Sequence, residues 1–291
     1  MRVAIIGGSG KMGRWFADFL KKGGNEVIIS GRNEEKLLKV KRELGIEATT
    51  NLTSAVKDAE VILLSLPIDS FEPVVMQLKS ILKPEQKVFD ITSIKTGPVA
   101  VMQKHLSNSP ILGTHPVFGP GAKGIRNQNI VLTPTNEKET ALAEKVRRYL
   151  EERGAKVSVM TPQEHDEMIA VILGLAHFIA IAAADSLLNF NRLNQMAAIA
   201  GPTYKVLLTL AESVLTEDPK LYASIQMNLP GLPKIEEAFL NGSKQWAEIV
   251  KKKDSRAFID RMNALKEKMK QNDPDFGKSY ETMYKILEGL K

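Results

Sequence analysis

One histidine stands where a general base would be useful. His115 opens the run His115-Pro116-Val117-Phe118-Gly119-Pro120, which reads as a turn of rigid and small residues just past a buried strand. An imidazole has an ordinary pKa close to working pH, so it accepts a proton readily when correctly aimed. Upstream, Asp90-Ile91-Thr92-Ser93-Ile94-Lys95 ends a second strand pattern and carries a hydroxyl at Ser93 and an ammonium at Lys95. A base and a hydroxyl brought to one sheet edge beside a dinucleotide would suit hydride removal from a carbon bearing OH. Lys95 has two readings, a reach toward cofactor or substrate and a solvated surface lysine. His105, at a polar helix end, is expected at the surface.

The dinucleotide is suggested by Gly8-Ser9-Gly10-Lys11-Met12-Gly13, a GxGxxG run that follows a strand and opens a helix. Gly8 is expected to permit the tight turn, Gly10 to let the backbone approach a pyrophosphate, and Gly13 to allow close helix–strand packing. The helix start then offers amides and partial positive charge to the phosphates. At the end of the second strand, Ser30-Gly31-Arg32 puts glycine where an acid would accept from the ribose hydroxyls, with arginine next. A missing carboxylate and an available guanidinium favour a 2′-phosphate, so NADP is the expected cofactor, with NAD possible. Leu66 and Pro67, after the fourth strand, are expected near the cofactor.

The elements that must position these groups follow from periodicity. Apolar runs at 2–6, 26–30, 46–50, 61–66, 87–92, 111–115, 129–133 and 155–160 alternate with helical patterns at 11–22, 33–44, 52–57, 70–82, 96–106 and 137–153. This predicts an α/β fold, a Rossmann-type doubly wound and mostly parallel sheet over residues 1–160. From Thr161-Pro162-Gln163-Glu164, a capping box, the pattern becomes helical, so residues 161–291 form an all-helical domain. His165 and Asp166 fall in this capped start and read as structural. A long helix at about 162–190 holds the apolar run 168–184, near the lower limit for a membrane span. A helix apolar on all sides fits a dimer core better than a membrane.

Composition narrows the class. With 43% hydrophobic and 25% charged residues the chain is globular rather than disordered, and with no cysteine it holds neither disulfides nor thiolate metal sites. The chain enters a strand pattern at once, without a basic leader, and a cytoplasmic setting is expected. The net charge of +6 is spread over amphipathic helices without a basic, aromatic-rich stripe, which favours a small anionic substrate over nucleic acid.

Five segments in order, at 7–13, 90–98, 113–120, 164–178 and 202–225, resemble the prephenate dehydrogenase family of tyrosine biosynthesis. The resemblance implies oxidative decarboxylation of prephenate, a cyclohexadienol dicarboxylate, to 4-hydroxyphenylpyruvate and CO2, without a metal. It implies that His115 takes the ring hydroxyl proton and that Ser93 orients His115 or that hydroxyl. His177 matches a substrate-contacting histidine, and Lys205 stands where relatives commonly carry a carboxylate-gripping arginine. Lysine keeps the charge but not the bidentate fork. Gln128 is a further polar candidate for the substrate, and a homodimer through the helical domain is implied. Arogenate dehydrogenase, a β-hydroxyacid-type dehydrogenase and a non-catalytic NADP-binding sensor are the alternatives.

Overall fold

The chain alternates strand and helix for its first half, and a computed structural model describes residues 1–289. The order is β1 (Arg2–Ile6), α1 (Lys11–Lys22), β2 (Glu26–Ser30), α2 (Glu34–Leu44), β3 (Glu47–Thr49), α3 (Leu52–Val56), β4 (Val61–Leu64), α4 (Ile68–Lys79), β5 (Lys87–Asp90), α5 (Thr96–His105), β6 (Ile111–Pro116), β7 (Asn129–Thr133), α6 (Glu137–Glu151) and β8 (Lys156–Val159). The eight strands form one sheet in the order β3-β2-β1-β4-β5-β6-β7-β8. β1 to β6 run parallel, whereas β7 pairs antiparallel with β6 and parallel with β8. The first six strands therefore have the dinucleotide-fold order, with the sequence of strands reversing between β1 and β4.

Both faces of this sheet are covered, which explains the continuous apolar strands. One face buries Val3, Ile5, Ile29, Phe89 and Leu112 under Phe16 and Ala17 of α1, Leu37 and Val40 of α2 and Leu150 of α6. The other buries Ala4, Ile62, Leu64 and Val88 under Val56, Phe71, Val75 and Met102. His105 is not a free surface residue: its Nε2 lies 3.1 Å from Glu72 Oε1, so α5 is tied to α4 through a half-buried ring. Glu72 is held below the ordinary carboxylate range chiefly by its hydrogen bond with His105, aided by Lys104.

Two compact units divide the chain. The first comprises Met1–Ile169 with Met227–Leu229, and therefore includes α7 (Pro162–Ile169). Its capping box forms as expected: Glu164 N–H donates to Thr161 Oγ1 at 3.2 Å, and Thr161 N–H donates to Glu164 Oε2 at 2.8 Å. The second unit is helical: a π-helical turn (Ala170–Leu175), α8 (Ala176–Leu188), α9 (Leu193–Ala198), α10 (Pro202–Leu215), α11 (Pro219–Asn228), α12 (Leu232–Lys251), α13 (Ser255–Asn272) and α14 (Ser279–Glu288). The predicted uninterrupted helix is thus widened in the middle by a π segment. Pro162–Leu188 is long and apolar enough to cross a membrane by length and composition, and 28% of its most apolar stretch is buried within the chain. Phe190, Ile199 and Val250 are also exposed on this unit, at 70%, 88% and 61%.

Candidate active site

The strand register sets the edge on which the chemistry-bearing residues stand. Ile6 of β1 is level with Leu64, Leu64 with Asp90, and Asp90 with Gly113. Thr114 and His115 therefore extend past that level. His115 lies inside β6, opposite Val131 of β7, rather than in a turn beyond the strand. The antiparallel ladder with β7 carries β6 on through Pro116, past the last β5 pairing at Gly113, so β7 fixes the backbone at His115. The loop that follows is pinned to α1, because Trp15 Nε1 donates to Ala122 O at 2.7 Å and its ring meets Phe118 edge-on at 4.9 Å.

His115 is 3% exposed, and its Nδ1 lies 2.8 Å from Nε2 of His165. His165 Nδ1 in turn lies 2.8 Å from Asp166 Oδ1. The Asp166 carboxylate also accepts from the backbone N–H groups of Lys95 at 2.7 Å and Thr96 at 2.8 Å, capping α5 from another helix. A carboxylate accepts only, so His165 carries its proton on Nδ1 and offers Nε2 as an acceptor. His115 must then donate through Nδ1–H, which leaves its Nε2 lone pair free. Burial, then the neighbouring His165 and Lys95, push the His115 ring well below the ordinary histidine pKa, against the pull of Asp166. Burial raises the Asp166 carboxyl, but the hydrogen bonds from His165, Thr96 and Lys95 outweigh it and hold the group below its ordinary value.

Three sequence expectations change here. The pair His165-Asp166 is not merely part of a helix start, since it supports the His115 ring. Ser93 is half-buried, and the group on His115 Nδ1 is His165 rather than its hydroxyl. Lys95 is neither solvated nor at a ligand surface: it is fully buried, its ammonium folded back onto Asp90 and donating to Thr114 O at 2.7 Å. The signal for His165 was its imidazole beside an acid on a capped helix; nothing local reveals a partner so distant in the chain.

The glycine loop fits a dinucleotide. Its tight turn is at Gly7, with φ +84°, one residue earlier than expected, where a Cβ would lie 2.0 Å from Ser65 O. Gly8 instead allows close packing, since a Cβ there would meet the Ile29 side chain at 2.5 Å, and one at Gly13 would lie 2.6 Å from Gly7 O. Gly10 is the N-cap residue of α1, which has no side-chain cap and no acid in its first turn, whereas Asn33, Asn51 and Asn136 cap α2, α3 and α6. An uncapped helix start with positive partial charge suits phosphate. Ser30 is buried and its carbonyl accepts from Gly7 N at 2.7 Å, fastening the loop to β2. Arg32 is exposed and forms no ion pair among the described residues. Leu66 is half-buried against the loop, its side chain 3.3 Å from where a Gly7 Cβ would lie, and Pro67 is the exposed N-cap residue of α4. Gln128 is half-buried at the start of β7, after the positive-φ residue Asn127.

In the helical unit, His177 is half-buried on α8 with its ring edge-on to Tyr222 at 4.8 Å, and its Nδ1 has no hydrogen-bond partner. Burial lowers its pKa. Lys205 is exposed near the start of α10, next to Tyr204, whose buried hydroxyl is also without a partner.

The chain resembles known proteins along most of its length. Residues 16–159 match the nucleotide-binding domain of prephenate dehydrogenase, and residues 161–271 match its dimerization domain. A probable arogenate/prephenate dehydrogenase of Methanocaldococcus jannaschii is 35% identical over 89% of this chain and 59% of its own length. A cyclohexadienyl dehydrogenase of Zymomonas mobilis is 23% identical over 89% of this chain and 91% of its own. The chain spans 59 to 66% of the length of the first curated relatives. Among solved structures, Aquifex aeolicus prephenate dehydrogenase in complex with hydroxyphenyl propionate and NAD+ superposes with a TM-score of 0.77 at 23% identity, covering 94% of this chain and 98% of that one. Synechocystis arogenate dehydrogenase gives 0.72 at 21% identity, covering 95% and 100%. With both domain descriptions matched in sequence and the same fold in these enzymes, the chain belongs to the prephenate/arogenate dehydrogenase family, with an N-terminal nucleotide-binding domain and a C-terminal dimerization domain.

Proposed function

We propose that the protein is an NADP-linked prephenate dehydrogenase. The observation that carries this reading is the Asp166–His165–His115 chain, which leaves a neutral imidazole with a free Nε2 at the sheet edge of a nucleotide-binding domain. When bound, the nicotinamide supplies the hydride acceptor. His115 Nε2 takes the proton of the ring hydroxyl as the C–H bond of the same carbon breaks and gives up its hydride. The carbonyl so formed draws in the electron pair of the breaking C–CO2 bond, and the phenolate oxygen of the aromatic ring takes the proton back from the imidazolium as CO2 leaves. His115 Nδ1 keeps its hydrogen bond to His165, so the new imidazolium remains supported by Asp166. Ser93 holds the substrate hydroxyl, while His177, Lys205 and Gln128 bind the rest of the dianion.

The test is turnover of purified protein with prephenate and NADP, followed by reduced-nicotinamide absorbance and by 4-hydroxyphenylpyruvate. Arogenate is run in parallel, because the ring chemistry is the same and only the side chain differs. Turnover of arogenate alone would replace the substrate, and no turnover of either would overturn the reading.

The glycine loop, through Gly8 to Gly13, would hold the pyrophosphate, with Leu66 and Pro67 flanking the cofactor and Ser30 and Arg32 facing the adenosine ribose. Arg32→Ala is expected to raise the KM for NADP about tenfold or more, the worth of a charge-assisted bond, while leaving that for NAD nearly unchanged. Equal changes for both cofactors would remove Arg32 from that role. Lys205→Ala is expected to raise the KM for prephenate about tenfold with little change in kcat, as loss of an exposed charge contact would. An unchanged KM would exclude it from substrate binding.

The exposed apolar helices of the second unit are proposed to close against a second copy of the chain. Sedimentation should then give a dimer mass. A cysteine-free chain of this kind suits the reducing cytoplasm.

A further inference from the structure

We propose that Lys95 is a positioning residue: its buried ammonium fastens the β5–α5 turn to the Thr114 carbonyl and keeps the next residue, His115, an unprotonated acceptor. This deepens the reading of His115 as a base and rests on it.

The argument begins with what a buried lysine costs. Lys95 and Asp90 are both 0% exposed, and taking two charges out of water costs enough that an apolar pair would serve stability as well or better. The pair is therefore best explained by what it touches. The Lys95 ammonium reaches Asp90 Oδ1 and the Thr114 carbonyl, the acceptor of the peptide that leads into His115. Asp90 Oδ1 accepts from Thr92 N at 3.0 Å and Thr92 Oγ1 at 2.6 Å, and the Asp90 carbonyl accepts from Thr114 Oγ1 at 2.6 Å. The turn and β6 are thus stitched on both sides of the Thr114 peptide. The backbone N–H of the same lysine is bonded to Asp166, which holds His165 against the His115 ring. One residue therefore contacts both supports of the imidazole.

Its charge acts in the same direction. The charged and titratable groups around His115 are Lys95, with Asp90 as its counter-ion, His165 and Asp166. Burial is the main cause of the ring's low proton affinity, His165 adds to it, Lys95 adds a repulsive cation, and Asp166 opposes them. Burial lowers the Lys95 pKa as well, with Asp90 pulling it back.

The closing experiment reads the ring itself. The chain has four histidines, so their ring signals can be followed by NMR against pH, with the His115 signal assigned by its loss in His115→Asn. The variants are Lys95→Met and Lys95→Met/Asp90→Asn, the second leaving no unpaired buried carboxylate if the first does not fold. The His115 midpoint is expected to rise by about one pH unit, a tenfold gain in proton affinity, while that of His177 stays. The acid limb of kcat/KM for prephenate should rise with it. A folded double variant whose His115 midpoint is unmoved would overturn the proposal, even if its activity fell. The titration needs no substrate, so a wrong substrate assignment would show as absent turnover with the ring shift intact.

Discussion

Asn at position 115 is expected to lower kcat for prephenate about 10³-fold, within the range that a positioned general base contributes. Asn is close in size, and its amide can donate to His165 Nε2 as the imidazole Nδ1–H does, so the fold should persist. What it lacks is a basic nitrogen where Nε2 stood. Because that nitrogen acts only as the hydroxyl proton departs, kcat and kcat/KM should fall by similar factors. The glycine loop is built from β1, α1 and β2 contacts, so NADP affinity measured by calorimetry should stay within a few-fold. The pH profile supplies a second check. The base must be unprotonated, and burial lowers its proton affinity, so wild-type kcat/KM should hold steady from pH 8 through the ordinary histidine range and fall only below it. Near-wild-type turnover in His115→Asn would remove this residue from the base role.

The sequence was most legible where a local requirement and the tertiary environment coincided. β1, β2, β7 and α1 have the predicted bounds, because strands buried on both faces read as unbroken apolar runs and a glycine loop marks the helix start. β5 stops two residues early because Thr92 turns back to bond the Asp90 carboxylate, a side-chain interaction that apolar patterning does not register. α4 begins two residues early, at Ile68, since Pro67 can precede a first turn without giving up a needed N–H. Among the site residues, His115 was visible from its setting, but its support was not. The Thr161–Glu164 capping box fully explained the segment around His165, whose partner is 50 residues away. Lys95 was hidden for a related reason: a lysine in a turn is ordinarily solvated, and only the fold of the Asp90–Lys95 turn places its ammonium against the Asp90 carboxylate and the Thr114 carbonyl of β6.

Asp166→Asn should expose that hidden support, lowering kcat about 10²-fold, at the lower end of what proton transfer to a positioned base is worth. The aspartate serves three donors with two oxygens, one His165 Nδ1–H and two backbone N–H groups. Asparagine has a single oxygen, and its amide must face one side or the other. In the place of Oδ2, it sets its N–H against that of Thr96 and costs about 1–2 kcal/mol of stability, read as a lower melting temperature. In the place of Oδ1, it opposes the Lys95 N–H as well and, donating to His165 Nδ1, forces that ring to carry its proton on Nε2. His165 then donates to His115 Nδ1, and the His115 proton moves to Nε2, where the base lone pair was. The expected pattern is a lower kcat at temperatures where the protein is folded, with the KM for NADP unchanged. The wild-type carboxyl has a depressed pKa, so its contribution to stability is complete above the ordinary carboxylate range and lost as pH falls through the depressed value. The variant should lack this acid-side loss. If its only defect were the lower melting temperature, with kcat intact below the transition, Asp166 would be a helix cap alone and the tautomer of His115 would have to be set elsewhere.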